Sequence, residues 1–197
     1  CATGIFIHLD LNDRNINAHE FSFFTLWSNI FCLIFMIILL IKHFLGKDTR
    51  SRLLTYFKGM ALSSIVCTFL VYHFSENKII LSYDTITSLG LPLESILAHY
   101  VVPFMFILDW IIFQPKGLFE WKQIITWLAF PLVYIICFFT RCHCNRPEEF
   151  IDVPKYPYFF LDYDCLGIGK CCLYIAFLMI VFLIVNLVII LLDKSLY

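Results

Sequence analysis

The chain has 197 residues, of which 61% are hydrophobic and 15% are charged, and its formal net charge is −1. Soluble domains are about 45–50% apolar and about 25% charged, so this composition excludes an ordinary soluble protein and indicates one that lies in lipid. The near-neutral charge also argues against a basic surface that binds nucleic acid.

The chain opens with a short apolar stretch over residues 1–11. About 20 apolar residues are needed to cross a bilayer, so this stretch is too short to span one. We interpret it as the remnant of a first helix.

Five longer apolar segments follow, each close to the length that spans a bilayer. They cover residues 22–45, 54–75, 95–113, 120–140 and 168–192. The connecting segments 46–53, 76–94, 114–119 and 141–167 are loops, too short to be domains. The sequence therefore predicts an all-α fold: a polytopic transmembrane helix bundle, one domain over residues 1–197, with six helices natively and the first one truncated.

Lys and Arg are concentrated at one side of these predicted helices. They lie around the segment 46–53, beside the segment 114–119 and after the last span, at Lys194. Short cytoplasmic loops retain positive charge, so these ends are predicted to be cytoplasmic. Both termini of a six-helix chain then lie in the cytoplasm, and the acidic loops 76–94 and 141–167 face outward or into a lumen.

Two polar residues within the spans are predicted to lie at the same depth. Thr25 and His99 each follow an acidic residue by five positions, Glu20 and Glu94 respectively. If both helices begin at these acidic residues, both side chains lie ~7 Å below the outer boundary. They can meet if each helix turns that face inward.

Four other polar residues are candidates for supporting roles. Ser28 and Asn29 share a helix face with Thr25, three and four residues on. His73 is predicted near the depth of His99, as a member of the site or as a boundary residue. Asp109 lies ten residues after His99, or ~15 Å along the helix, so its side chain cannot contact His99. It is predicted to pair with Lys58, to cap a neighbouring helix end, or to serve as a separate proton or ligand site.

The Thr25 and His99 pair has a recognisable chemistry. A Thr hydroxyl is a poor nucleophile until a base takes its proton, and neutral His is a common base near pH 7. Together they can attack an ester carbonyl and form an acyl-threonine that water hydrolyses. The alternative is structural, because Thr in membranes often hydrogen-bonds within or between helices.

Several short motifs resemble a known membrane family. They are Phe24-Thr25 with Ser28 and Asn29, then His99-Tyr100-Val101-Val102-Pro103-Phe104 with Asp109, and Tyr156-Pro157-Tyr158-Phe159-Phe160-Leu161-Asp162 before the last helix. The pattern is similar to that of androgen-induced-protein type membrane hydrolases and looks closest to their microbial six-helix relatives. The Cys-rich outer loop is not part of that pattern.

This resemblance implies a function as well as a fold. In that family a Thr nucleophile and a His base cleave fatty acid esters of hydroxy fatty acids. On this chain the resemblance implies Thr25 as the nucleophile and His99 as the base. It also implies a lipid ester as the substrate, membrane lipids as the surroundings and no cofactor. The expected activity is that of a threonine-dependent carboxylic ester hydrolase.

Cysteines in the predicted outer loop admit three interpretations. Cys142 and Cys144 flank His143, and Cys165 follows in the same loop. Their spacing is not that of a zinc site, so we favour a disulfide from Cys165 to Cys142 or Cys144 over a metal, and free thiols are the third alternative.

The same loop contains Tyr156-Pro157-Tyr158, bordered by Phe159 and Phe160. These aromatic residues either anchor the membrane interface, which we favour, or line a substrate mouth.

Two other functions are also compatible with the sequence. One is a small-molecule or ion transporter, or a receptor-like protein, that uses His99 and Asp109 as proton or ligand sites. A continuous polar path between these two residues would favour it. The other is a membrane scaffold without chemistry, which a closed apolar bundle would favour.

Overall fold

A computed structural model of the chain describes residues 20–49, 51–75, 93–143 and 155–197. The interpretation of residues 1–11 as a remnant helix falls outside these residues. Five long helices account for most of the described chain, and none of it forms a β-strand. They are α1 (Phe24–Phe44), α2 (Arg52–Ser75), α3 (Leu93–Ile96, Leu97–Val101 and Val102–Phe113), α4 (Gln123–Thr126 and Ala129–His143) and α5 (Ile168–Ser195). The fold is an all-α polytopic helix bundle, as predicted.

The lengths and the apolar surfaces of these helices suit a lipid bilayer. Four of the described helices, α1, α2, α4 and α5, are long and apolar enough to cross a membrane, and the apolar part of α3, Leu97–Phe113, is shorter. Large apolar side chains such as Ile37, Met105 and Phe177 are exposed on the outside of the bundle. A lipid environment makes such exposure favourable. The protein is an integral membrane protein.

Helix α2 lies at the centre of the bundle. In its apolar stretch 61% of residues are buried inside the bundle, against 33% in α1 and 28% in α4 and α5. Small side chains make this possible, among them Gly59, Ala61, Ser63 and Ser64. Helices in lipid associate mainly by close packing and hydrogen bonds, so small residues favour a central position.

Helix α3 contains a π-helical segment, Leu97–Val101, at one-third of its length. Its wider turn is visible where the Val102 N–H donates to the Leu97 carbonyl, five residues back. Pro103 follows directly and has no N–H to donate to the carbonyl of His99, four residues before it. The missing donor favours an irregular turn at this place, and π-helical turns of this kind often lie at functional sites.

The loop from α3 to α4 packs on the end of α5. Asp193, which is buried, accepts the Phe119 N–H at Oδ2 over 2.9 Å, and its carbonyl accepts the Gly117 N–H over 3.0 Å. Gly117 has a φ of +76°, which favours glycine. Because these bonds hold the loop on α5, helix α4 begins at Gln123, three residues after the start of the predicted span 120–140.

Residues 155–167 fold into two short helical turns, Phe159–Leu161 and Tyr163–Leu166, beside the start of α5. Cys142 and Cys165 both carry free thiols, which was the third predicted alternative, so the predicted disulfide between these two residues is wrong. Asp162 caps this turn by accepting the Cys165 N–H over 2.9 Å, and its hydrogen bond to the thiol raises the pKa of Cys165. Cys144 lies outside the described residues.

Candidate functional site

Thr25 and His99 are in direct contact. The Thr25 Oγ1 atom lies 3.0 Å from His99 Nε2, across 74 residues of sequence, and both side chains are buried. This distance is within the range for a hydroxyl and the base that accepts its proton. The structure thus brings together the two residues predicted to act as a pair.

The other ring nitrogen of His99 fixes the direction of this hydrogen bond. His99 Nδ1 lies 2.9 Å from the carbonyl oxygen of Ser95, and a carbonyl only accepts. Nδ1 must therefore carry the proton, which leaves Nε2 of the neutral ring as an acceptor. Thr25 then donates its hydroxyl proton to His99, as general base catalysis requires.

The contact places Thr25 and His99 at the same level of the bundle, as the sequence predicted. The helix starts differ from those assumed for that prediction. Helix α1 begins at Phe24, so Thr25 is its second residue, and His99 is six residues beyond Leu93, within the π-helical segment of α3. The depth of ~7 Å below an outer boundary stays a prediction.

Asn29 connects the two helices directly beside the pair. Its Nδ2 atom donates to the Thr25 carbonyl over 2.9 Å and to the Ala98 carbonyl over 3.3 Å. Both partners are acceptors, so the NH₂ group must face them. One buried amide thus binds the backbone of α1 at Thr25 to the backbone of α3 just before His99.

Ser28 adds a second connection, from α1 to α2. Its Oγ lies 3.0 Å from the Thr25 carbonyl and 2.8 Å from Thr68 Oγ1. Polar side chains in lipid need such partners, since an unpaired polar group there is costly. Ser28 and Asn29 therefore support Thr25 from the face that the sequence predicted.

Tyr72 positions the ring of His99. The two rings are stacked, with centroids 3.7 Å apart and planes inclined by 15°. Stacking on one face and the hydrogen bond to Ser95 together restrict rotation of the imidazole. Sequence reasoning missed Tyr72, because an aromatic residue in a span is common and carries no signal of its own.

The pair lies on the wall of a mainly apolar cavity of about 290 Å³. This volume is near the lower end for small-molecule pockets, roughly 300–1,000 Å³. All five long helices and the segment before α5 contribute to the wall, mostly with apolar and aromatic residues. The apolar wall residues include Pro131, Ile135, Leu161, Ile175, Met179 and Phe182.

Two tyrosines on the cavity wall hold the start of α1. Tyr158 accepts the Phe24 N–H at its hydroxyl over 3.1 Å, and Tyr134 donates to the Ser22 carbonyl over 2.6 Å. These bonds satisfy backbone groups at a helix start that has no side-chain cap. Tyr158 thus lines the cavity, which was the less favoured of the two roles predicted for its motif, and no signal in the sequence indicated Tyr134.

His73 and Asp109, the other two residues predicted to support the site, do not line this cavity. His73 Nδ1 is 3.3 Å from the Tyr100 hydroxyl, and the ring stacks on Phe69. Asp109 forms an ion pair with Lys58, with Oδ2 and Nζ 2.6 Å apart, at the opposite end of the bundle. Within the described ranges no cluster of His, Cys, Asp and Glu is arranged to hold a metal ion.

Comparison of the chain with protein-family models, with curated proteins and with solved structures finds no match.

Proposed function

We propose that the protein is a membrane-embedded lipid-ester hydrolase in which Thr25 is the nucleophile and His99 the general base. The observation that carries this proposal is the 3.0 Å hydrogen bond from the Thr25 hydroxyl to His99 Nε2, on the wall of a cavity. A Thr that serves only structure needs no base as its partner. An apolar cavity inside a membrane protein is also a suitable place for an acyl chain.

The reaction proceeds in two halves. As Thr25 Oγ1 bonds to the ester carbonyl carbon, His99 Nε2 takes its proton. The imidazolium returns that proton to the alcohol oxygen as the ester C–O bond breaks, which leaves an acyl-threonine. Water then attacks the acyl carbon and loses a proton to Nε2, and the proton passes to Thr25 Oγ1 as the fatty acid leaves.

Two features of the site support this chemistry. The Ser95 carbonyl accepts from Nδ1 and so stabilises the imidazolium that forms at each transfer. The start of α1 places the positive end of the helix dipole at Thr25, where negative charge develops on the carbonyl oxygen. Both act at the reacting atoms without any rearrangement of the helices.

The experiment that tests the proposal combines turnover of a long-chain ester with labelling by a fluorophosphonate probe. Thr25→Ala and His99→Ala should each lower kcat/KM by roughly 10⁴-fold, because either change removes a member of a unit that acts together. Labelling should disappear in Thr25→Ala. Wild-type turnover in either folded variant contradicts the proposal.

Two residues outside the cavity provide matched controls. His143 donates from Nδ1 to the carbonyl four residues before it, as His99 does, but lies exposed on α4. Thr140 is likewise exposed and bonds to its own helix. His143→Ala and Thr140→Ala should therefore retain turnover and labelling.

The transporter alternative receives no support from the arrangement of His99 and Asp109. A buried apolar layer separates them, which includes Cys32, Val102 and Phe106. The cavity at His99 and a second cavity at Asp109 share no lining residue among the residues described. A scaffold without chemistry predicts a closed bundle with no cavity at Thr25, whereas Thr25 and His99 lie on the wall of a cavity.

A further inference from the structure

A second cavity, of about 370 Å³, lies at the end of the bundle opposite to Thr25. It is bordered by the end of α1, the start of α2 and the end of α3. Its polar lining residues are Lys58, Asp109, Gln114, His43, Thr49 and Thr55. The proposed hydrolase chemistry uses none of them.

Lys58 and Gln114 make this cavity rich in hydrogen-bond donors. Lys58 is buried, and the Asp109 carboxylate is its one partner in the described chain, so two of its three ammonium N–H groups remain. Gln114 is also buried, and neither its amide nitrogen nor its amide oxygen has a hydrogen-bond partner among the described residues. Buried donors of this kind favour a ligand with several acceptor oxygens.

One flank of the cavity is apolar and continues into the lipid-facing surface. Met36 and Leu40 of α1 and Phe113 of α3 line it and are exposed on the outside of the bundle. A cavity with a polar end and a flank open to lipid fits an amphiphile. A small soluble ion would make no use of that flank.

Positive charge predominates around this end of the bundle. The cations are Lys42, Lys47, Arg52, Lys58, Lys116, Lys122 and Lys194, and the anions are Asp48, Asp109, Glu120 and Asp193. Basic pockets between transmembrane helices attract anionic lipid head groups. The charge thus complements a phosphate rather than an ammonium group.

We propose that this cavity binds the phosphate group of an anionic membrane lipid from the leaflet at this face. The phosphate oxygens accept from Lys58 Nζ and from the Gln114 amide, and the acyl chains lie along Met36, Leu40 and Phe113. Asp109 orients Lys58 and also repels the phosphate, so it lowers the affinity of the site for its ligand.

The test titrates the purified full chain in detergent with dioctanoyl phosphatidylglycerol, and with glycerol 3-phosphate in a separate arm. The lipid should bind at least about tenfold more tightly than glycerol 3-phosphate, because only the lipid contacts the apolar flank. The double variant Lys58→Met/Asp109→Asn should bind the lipid about tenfold more weakly, through loss of a charge-assisted hydrogen bond.

The single variant Asp109→Asn distinguishes lipid binding at Lys58 from a purely structural role of the ion pair between Lys58 and Asp109. It removes the repelling charge and keeps the cation, so the lipid should bind about threefold more tightly or better. Lys122→Met, which breaks the exposed ion pair with Glu120 at the same face, is the matched control and should leave binding unchanged.

Gln114→Met provides a variant that leaves the ion pair intact. It should weaken lipid binding several-fold, and its thermal unfolding in detergent should match that of the wild type. Four results overturn the proposal: equal binding by the double variant, weaker binding in Asp109→Asn, an equal loss in Lys122→Met, or equal affinity for glycerol 3-phosphate.

Discussion

His99 shows how the surroundings of a single residue determine what it can do. An imidazole has two nitrogens, and the Ser95 carbonyl assigns the proton to one of them. The second nitrogen is thereby available to the Thr25 hydroxyl. Tyr72 covers a face of the ring, so the imidazole remains oriented while its protonation changes.

Tyr72 is predicted to act through its ring and not through its hydroxyl. Tyr72→Leu removes the stacking and lets the imidazole rotate, so kcat/KM for ester turnover should fall roughly 10- to 100-fold, because small misplacements of a catalytic group are costly. Tyr72→Phe keeps the ring and should stay within about threefold of the wild type. Equal losses in both variants would assign the effect to the hydroxyl.

Sequence reasoning found some residues of the site and not others for a physical reason. Thr25, His99 and Asn29 are polar in lipid, where polar groups are rare and costly, so each is conspicuous. Tyr72 and Tyr134 are aromatic residues in apolar spans, and such residues occur there for packing alone. Their roles depend on neighbours from other helices, which no local pattern contains.

At the scale of elements, the π-helical segment of α3 is the feature that most affects the site. A regular helix through Leu97–Val101 would present His99 at a different angle around the axis, since a π-turn holds an additional residue. Pro103 provides the cause, because it cannot donate to the carbonyl of His99. The orientation of the His99 ring is therefore encoded four residues after it.

Pro103→Ala should separate activity from stability. It restores the backbone N–H, which allows a regular helix and turns His99 away from Thr25, so fluorophosphonate labelling should slow by roughly tenfold or more. The thermal unfolding temperature in detergent should stay equal or rise, because the helix gains a hydrogen bond. Unchanged labelling with a stable fold would show that Pro103 does not determine the orientation of His99.

The segment before α5 is held by an exposed ionic contact. Asp164 Oδ2 lies 2.7 Å from Lys155 Nζ and accepts the Tyr156 hydroxyl over 2.8 Å. These bonds hold the pKa of Asp164 below its ordinary value, with Lys155 as the larger cause. The same segment contributes Tyr158 and Leu161 to the cavity wall, so its order affects the site.

Acid should loosen this segment. The pKa of Asp164 is lower in the folded chain than in the unfolded one, so the ionised carboxylate stabilises the fold. That contribution is complete above the ordinary value of about 4 and is lost as the pH falls through the lowered pKa. Backbone hydrogen exchange over residues 155–166, corrected for its intrinsic pH dependence, should show reduced protection below that pH.

Asp164→Asn is the control for this pH dependence. The amide does not ionise, so hydrogen exchange in the variant should be faster than in the wild type near neutral pH and should not change further in acid. An acid-induced loss of protection of the same size in the variant would mean that another group is responsible.

At the scale of the whole molecule, the close contact between α2 and α4 determines how tightly the helices pack. A Cβ atom at Gly59 would lie 2.0 Å from the indole carbon Cζ2 of Trp127. Trp127 is fully buried, and its Nε1 donates to the Tyr56 carbonyl over 3.1 Å. Only glycine permits this contact between the central helix and the break in α4.

Gly59→Ala should destabilise the protein in spite of the better helix propensity of Ala. The added methyl group must displace the indole ring, and overpacking of this kind costs about 1–3 kcal/mol of the free energy of unfolding. Reversible unfolding in mixed micelles measures the difference. Gly169→Ala on α5, where a Cβ would meet nothing within 4 Å, is the matched control and should be neutral or slightly stabilising. Equal effects of both substitutions would contradict a steric origin.

The sequence by itself determined that this is an integral membrane helix bundle and where its helices lie. Those properties depend on the lengths of apolar runs, and the predicted spans 22–45 and 54–75 match α1 and α2 to within two residues at each end. Local composition is enough here, because each spanning helix satisfies its own backbone hydrogen bonds.

The tertiary structure alone decided that the Thr25 hydroxyl reaches His99, that α3 is irregular there and that the cavity at Thr25 is separate from the one at Lys58. Each of these depends on the rotation of one helix against its neighbours. That rotation follows from the shapes of side chains distant in sequence, such as Gly59 against Trp127, and from single hydrogen bonds such as those of Asn29. An apolar run specifies a span but leaves its rotation to the packing of the bundle.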